Sequence, residues 1–252
     1  MLVLTFAHCK KNDVATLGGE TTGEKNAFGN GNIQTYAFTD NTGSLTEAGI
    51  IVDDAALQNL PVVLMTVPFL MAFTTNSLDF PATVADQTGI THLCFDYYPR
   101  GHDPVFAYGV PQINFYYHYQ TEADRLMVGL LPADSTKFQK VLLAGEVPPT
   151  FIDPKGYVPK VGAHLVDVAA PEFNGVAFDK GWIYGKYDGK LTFMEELVSM
   201  AFLQSVTTIQ SFDVKQPTIF PRSGKLFPTK YNVAHNATTN QYKIFLSGFV
   251  KH

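Results

Sequence analysis

Apolar and polar residues alternate over Gly109–Gln120, GVPQINFYYHYQ. A period of two places Gln112, Asn114, Tyr116, His118 and Gln120 on one side of a strand, and Ile113, Phe115, Tyr117 and Tyr119 on the other. The same period marks NIQTYAFTD at Asn32–Asp40, which ends in a turn cluster. It recurs in YNVAH and QYKIFLSGFV, which flank the turn NATTN and read as a hairpin. GWIYGKYDGKLTFM reads as another hairpin, with Asp188–Gly189 as a type I′ turn. Apolar runs without alternation, VVLMTVPFLMAF and ITHLCFDYYP, predict buried strands.

Helical signals are short. Asp53 is placed to cap a turn that sets Leu57 and Leu60 on one face and stops at Pro61. Thr121 caps TEADRLMVGL, with Asp124 in its first turn. DSTKFQKVLLAG predicts a helix closed by Gly145. MEELVSMAFLQS sets Met194, Leu197, Val198, Ala201 and Phe202 at helical spacing, and Thr192 with Glu195 matches a capping box. The expected fold class is α+β, mostly antiparallel sheet of sandwich or barrel-like form, with a few short helices.

The chain has 252 residues, 46% hydrophobic and 16% charged, enough for a sizeable core. Its 20 Phe and 12 Tyr favour sheet. A net charge of -5, with no basic cluster beyond Lys10–Lys11, argues against nucleic acid. Two cysteines exclude a disulfide framework, and Cys94 in its apolar run reads as a small buried hydrophobe. Cys9 follows the apolar run Met1–Ala7 and precedes Lys10, Lys11, Asn12 and Asp13, as at the end of a bacterial lipoprotein signal. His8 stands where that pattern has a small residue, and no basic region precedes the run. The expected organisation is a signal remnant and flexible tether over residues 1–32, lipidated at Cys9, and one β-rich domain over 33–252. The expected location is the cell envelope, lipid-anchored or periplasmic. No segment reaches the length of a membrane span.

Four places carry candidate chemistry. They are His102 and Asp103 in PRGHDPV, the strand face Gln112, Asn114, Tyr116 and His118, His164 and Asp167 in VGAHLVD, and Glu195 in TFMEEL. His102, His118, His164 and Glu195 have the donor types a divalent metal takes, if the fold brings them within about 2.0–2.6 Å of one ion. Asp103, Gln112, Asn114, Tyr116 and Asp167 are the candidate pocket residues. The alternatives are a hydrated sheet face, a turn histidine and a capping glutamate. The chain contains no nucleophile elbow, P-loop, dinucleotide fingerprint, H-E-x-x-H or C-x-x-C.

Phe95–Tyr119 and Val158–Leu203 resemble a bacterial family of unknown function. Its pattern has a Gly-His-Glu-Pro turn, a strand reading Pro-His-Phe-Asp-Phe-His-Phe-Tyr, a Met-Gly-x-His-Trp site, Pro-Glu-Phe-Asn-Gly, a Tyr-Gly-x-Tyr-Asp-Gly hairpin and Phe-x-Glu-Pro-Met. The chain keeps His102, His164, Glu195, Pro171–Gly175 and Tyr184–Gly189, and has Asp103 for Glu. Gln112, Asn114 and Tyr116 stand where the pattern has His, Asp and His. The resemblance implies a histidine/carboxylate site whose strand ligands have here become neutral hydrogen-bonding groups, poor holders of a transition metal. The expectation is a binding or structural module for a small molecule, without a cofactor. A divergent metal-dependent enzyme using His102, His164 and Glu195 is the alternative. A third reading is a homo-oligomer contacting through Tyr97, Tyr98, Tyr108, Tyr117 and Tyr119.

Overall fold

The computed structural model describes residues 18–60 and 76–252, so Cys9, the lipoprotein-like start and the strand expected within VVLMTVPFLMAF lie outside it. The strands of the first part are β1 (Gly19–Thr22), β2 (Asn26–Phe28), β3 (Gly31–Thr39) and β4 (Leu45–Asp53). The second part begins with β5 (Asn76–Asp79), β6 (His92–Tyr98) and β7 (Gln112–His118), then the short β8 (Phe151–Ile152) and β9 (Tyr157–Val158), then β10 (Gly162–Asp167), β11 (Lys180–Tyr187) and β12 (Lys190–Ser199). β13 (Gln210–Asp213), β14 (Leu226–Phe227), β15 (Lys230–Asn236), β16 (Gln241–Ser247) and β17 (Val250–Lys251) complete the chain.

Two antiparallel sheets form a sandwich-like α+β fold. The first runs β1-β3-β4-β16-β15-β13, with β2 on β3. The second runs β5-β6-β7-β12-β11-β10-β8, with β9 on β10. Their inner faces share one apolar core. Ile33, Ile50, Val233 and Ile244 from the first sheet meet Phe95, Phe115, Tyr117 and Met194 from the second. The apolar side of the opening alternation is therefore the core side. Phe28 and Phe95 meet edge to face across this layer at 4.9 Å.

Among the described residues, five short helices connect strands: α1 (Ala82–Thr88), α2 (Val105–Tyr108), α3 (Glu122–Leu126), α4 (Ser135–Gln139) and α5 (Met200–Ser205). Thr121 caps α3, its hydroxyl accepting from the Asp124 N–H at 3.1 Å. The Asp188–Gly189 turn joins β11 to β12 with φ of 51° and 75°, the left-handed pair a type I′ turn requires. None of the helices among the described residues is long and apolar enough to cross a membrane.

Four local expectations are corrected. Residues 19–28, read as tether, form β1 and β2 on the edge of the first sheet. An edge strand with one wet face needs no apolar alternation, so its composition mimics a linker. α4 ends at Gln139, well before Gly145. Asp53 precedes only a single 3-10 turn over Asp54–Leu57 and makes no side-chain cap. The helix expected from Met194 is strand until Ser199, and α5 begins there, capped by the Ser199 hydroxyl accepting from the Phe202 N–H at 3.1 Å. β12 lies between β7 and β11 and is buried on both faces. Such a strand is apolar nearly throughout, and a continuous apolar run satisfies helical spacing as well as any other. No Thr192–Glu195 capping box forms.

A third layer covers the outer face of the second sheet. Ala107 and Tyr108 of α2, Phe173, and Phe178 pack on Val166, Ile183 and Leu197. Val158 and Val161 pack on Cys94, Tyr116 and Phe193. Tyr108, Tyr117 and Tyr119 are thus buried and Tyr97 and Tyr98 half-buried, which removes the aromatic surface expected to join copies of the chain.

Candidate functional site

Register decides which side chains share the outer face. Tyr116 pairs with Cys94 on one side and Glu195 on the other, Asn114 with Asp96 and Leu197, and Gln112 with Tyr98 and Ser199. Glu195 continues across to Ile183, and His164 pairs with Gly185. One stripe therefore carries Tyr98, Asp96, Asn114, Tyr116, Glu195 and His164. The row Gln112, Asn114, Tyr116, His118 is buried, none of the four more than 2% exposed. The reading of a hydrated sheet face is overturned: crossing segments roof this face.

His102 reaches the stripe from the turn before α2. Gly101 sits at φ 69°, and a Cβ there would lie 1.9 Å from the Tyr108 carbonyl oxygen, so only glycine lets the turn close. The His102 N–H donates to that carbonyl at 3.1 Å. Its ring packs edge-on to Tyr98 at 4.9 Å.

Asn114 is the centre of the site. Its Nδ2 lies 3.1 Å from His102 Nε2 and 2.7 Å from Glu195 Oε1. His102 Nδ1 is 2.8 Å from the Asp103 carbonyl oxygen, which can only accept. The ring is therefore the Nδ1–H tautomer, and its Nε2 accepts from the amide. One NH2 group thus donates to both groups. Glu195 Oε2 faces His164 Nε2 at 3.4 Å. Tyr116 hydrogen-bonds to Glu195, and its hydroxyl lies 3.3 Å from that of Tyr98.

Burial holds Glu195 and both histidines of the site largely uncharged near pH 7. Burial pushes the Glu195 carboxyl up to about 8, against the opposing hydrogen bonds from Asn114 and Tyr116. Burial, with His102 nearby, lowers His164 to about 3, and burial lowers His102. Asp96 is pushed up to about 7, again by burial. Several buried polar atoms of this face have no hydrogen-bond partner in the protein: Asn114 Oδ1, both amide atoms of Gln112, and Asp96 Oδ2.

Of the residues singled out in the sequence, His102, Asn114, Tyr116, His164 and Glu195 come together, with Gln112 at one end of the row. His118 does not join them: it stacks on His92, ring centroids 4.7 Å apart. Asp103 is exposed and contributes only its backbone carbonyl. Asp167 belongs to the opposite face of β10 and pairs with Lys215. Asp96, Tyr98, His92 and Cys94 were missed. Their signal was present in THLCFDYY, where His92, Cys94, Asp96 and Tyr98 fall at a spacing of two, hidden by the apolar residues between them. No family model, curated protein or solved structure matches the chain.

Proposed function

We propose that the outer face of the second sheet binds a small neutral polar molecule, within a bacterial cell-envelope domain whose lipid anchor would be Cys9. The family resemblance and the lipoprotein-like start support the setting. The observation that carries the site is the Asn114 amide nitrogen between His102 Nε2 and Glu195 Oε1. It occupies, as a neutral double donor, the position from which a cation would be held by the same two groups. The free Asn114 Oδ1 and the Gln112 amide are acceptors and donors for hydroxyl or amide groups of a ligand. With Glu195 and both histidines largely uncharged, the groups around the Asn114 nitrogen offer an ion little counter-charge, whereas a polyol or amide is matched.

Manganese(II), a hard cation that avoids thiolate, is the probe for the ancestral site. The unaltered protein is expected to give no binding signal in calorimetry, and Asn114→Asp to gain one that His164→Gln removes. Manganese binding by the unaltered protein, abolished by His164→Gln or Glu195→Gln, would instead refute the neutral site and favour the metal-dependent reading. For the ligand, thermal melts are run with neutral polyols and with matched carboxylates. Stabilisation by a neutral compound, lost in Asn114→Ala, is expected. Stabilisation by the anions alone, or by no member of either set, refutes the reading.

A further inference from the structure

A second polar cluster lies farther along the same face, outside the site just described. His92 and His118 are register partners on β6 and β7, and Cys94 follows two residues after His92. One ligand atom from each of the three lies within 4.8 Å of the others. All three side chains are buried, His92 at 1% and Cys94 and His118 at 0% exposure. Neither ring nitrogen of His118 has a hydrogen-bond partner in the protein. Buried imidazoles without partners are uncommon, because each bare nitrogen forfeits its hydration.

The neighbourhood of His92 sharpens the anomaly. The Thr91 hydroxyl donates to the Gln120 carbonyl at 2.6 Å, so toward His92 Nδ1, 3.0 Å away, it can only accept. The proton therefore sits on Nδ1, and Nε2 presents a lone pair. That lone pair lies 3.1 Å from Glu122 Oε2, a carboxylate oxygen. Two lone pairs facing each other in a buried place call for a cation between them.

We infer that His92, Cys94 and His118, with Glu122 as the fourth donor, form a binding site for a thiophilic borderline cation of the zinc(II) class. Two imidazoles, one thiolate and one carboxylate are a donor set that suits such an ion. Bonds of about 2.0–2.3 Å place tetrahedral ligands about 3.3–3.8 Å apart. The 3.1 Å between His92 Nε2 and Glu122 Oε2 is already close to that spacing. The ligand atoms of His92, Cys94 and His118, within 4.8 Å of one another, close in by up to about 1 Å on binding, and Glu122, outside that group, swings further in. Glu122, 35% exposed, stands on the outside and gives the ion its way in.

Binding forms the S–metal bond and releases the Cys94 thiol proton to solvent. The charged and titratable groups around the thiol decide how readily that happens. Burial raises Cys94 to about 12, and Arg125 opposes it; Glu122, Asp96 and the Ser77 hydroxyl also act on it. Asp79 faces His92, and His164 faces His118. Arg125 would repel a cation on its own, but both Glu122 oxygens hold it, at 2.5 and 2.6 Å. The site does not depend on the neutral-ligand reading, because the Asn114 cluster uses none of His92, Cys94, His118 and Glu122.

Cobalt(II) titration of the full chain provides the test. One equivalent should bind and develop a thiolate-to-cobalt charge-transfer band, and zinc(II) should displace it. Cys94→Ser should abolish the band, His118→Gln should lose tight binding, and Glu122→Gln should weaken it by about 10–100-fold. Glu195→Gln, whatever it does to stability, should leave the cobalt affinity and the band unchanged. Cooperative melts of the metal-free variants establish that each is folded, and Cys94→Ser, the smallest change, suffices if His118→Gln is not. Absence of the band, its survival in Cys94→Ser, or its loss in Glu195→Gln each overturns the inference. The last outcome would make Glu195 part of the cobalt site together with Cys94 and refute the neutral-site reading as well.

Discussion

Glu195→Gln isolates the charge state on which the neutral site rests. In the folded protein the carboxyl titrates at about 8, against an ordinary 4.5. Its folded value is raised, so its contribution to stability is complete below pH 4.5 and is lost as pH rises toward 8. In that window the unfolded chain ionises Glu195 while the folded chain holds it protonated. At about 1.4 kcal/mol per pH unit, the interval from 4.5 to about 8 comes to about 5 kcal/mol. Glutamine is isosteric and cannot ionise. Its oxygen accepts from Asn114 and Tyr116, and its amide donates to His164. The two proteins should therefore have similar stability near pH 4.5. The variant should draw ahead by about 1.4 kcal/mol per unit and reach a plateau near 5 kcal/mol above pH 8. Urea unfolding at half-unit steps from pH 4.5 to 9 measures it. The difference between the two curves cancels the other groups whose pKa burial raises, Asp96 and Glu196 among them. A difference that does not vary with pH, or a wild-type protein that gains on the variant as pH rises, refutes the account of Glu195 as a buried neutral acid.

Two further predictions concern the frame around both clusters. A Cβ on Gly185 would lie 2.0 Å from the Phe193 ring, which packs on His118, His164 and Tyr116, so Gly185→Ala should cost about 1–3 kcal/mol in denaturant unfolding. An unchanged midpoint would mean that Phe193 moves aside freely. Arg125 is 1% exposed and binds Glu122 and the Lys160 carbonyl, so Arg125→Met should destabilise the fold by about 2–3 kcal/mol; an equal or more stable variant would show that this pairing costs as much as it returns.

Local chemistry made much of the fold legible in the chain. A period of two set the two sides of β7, and a left-handed dipeptide fixed the β11–β12 turn. Thr121 announced α3, and the tail hairpin followed from its alternation around NATTN. These signals act over a few residues, so no knowledge of the rest of the fold is needed to read them. The resemblance brought His102, His164 and Glu195 into view together, and they do meet. Tertiary structure alone decided the rest. Alternation says that a strand has two unlike sides; it does not say that the polar side meets water, and here the chain crosses over that side and buries it. Met194–Ser199 satisfied helical spacing, but pairing with β7 and β11 made it strand and sent Glu195 and Glu196 to opposite faces. His92, Cys94 and His118 are brought together by the register of β6 on β7, a pairing between segments some twenty residues apart that no local periodicity encodes. Residue types fixed which groups can accept, donate or hold an ion, while the register of strands and the segments that roof the second sheet determined which of them share a site.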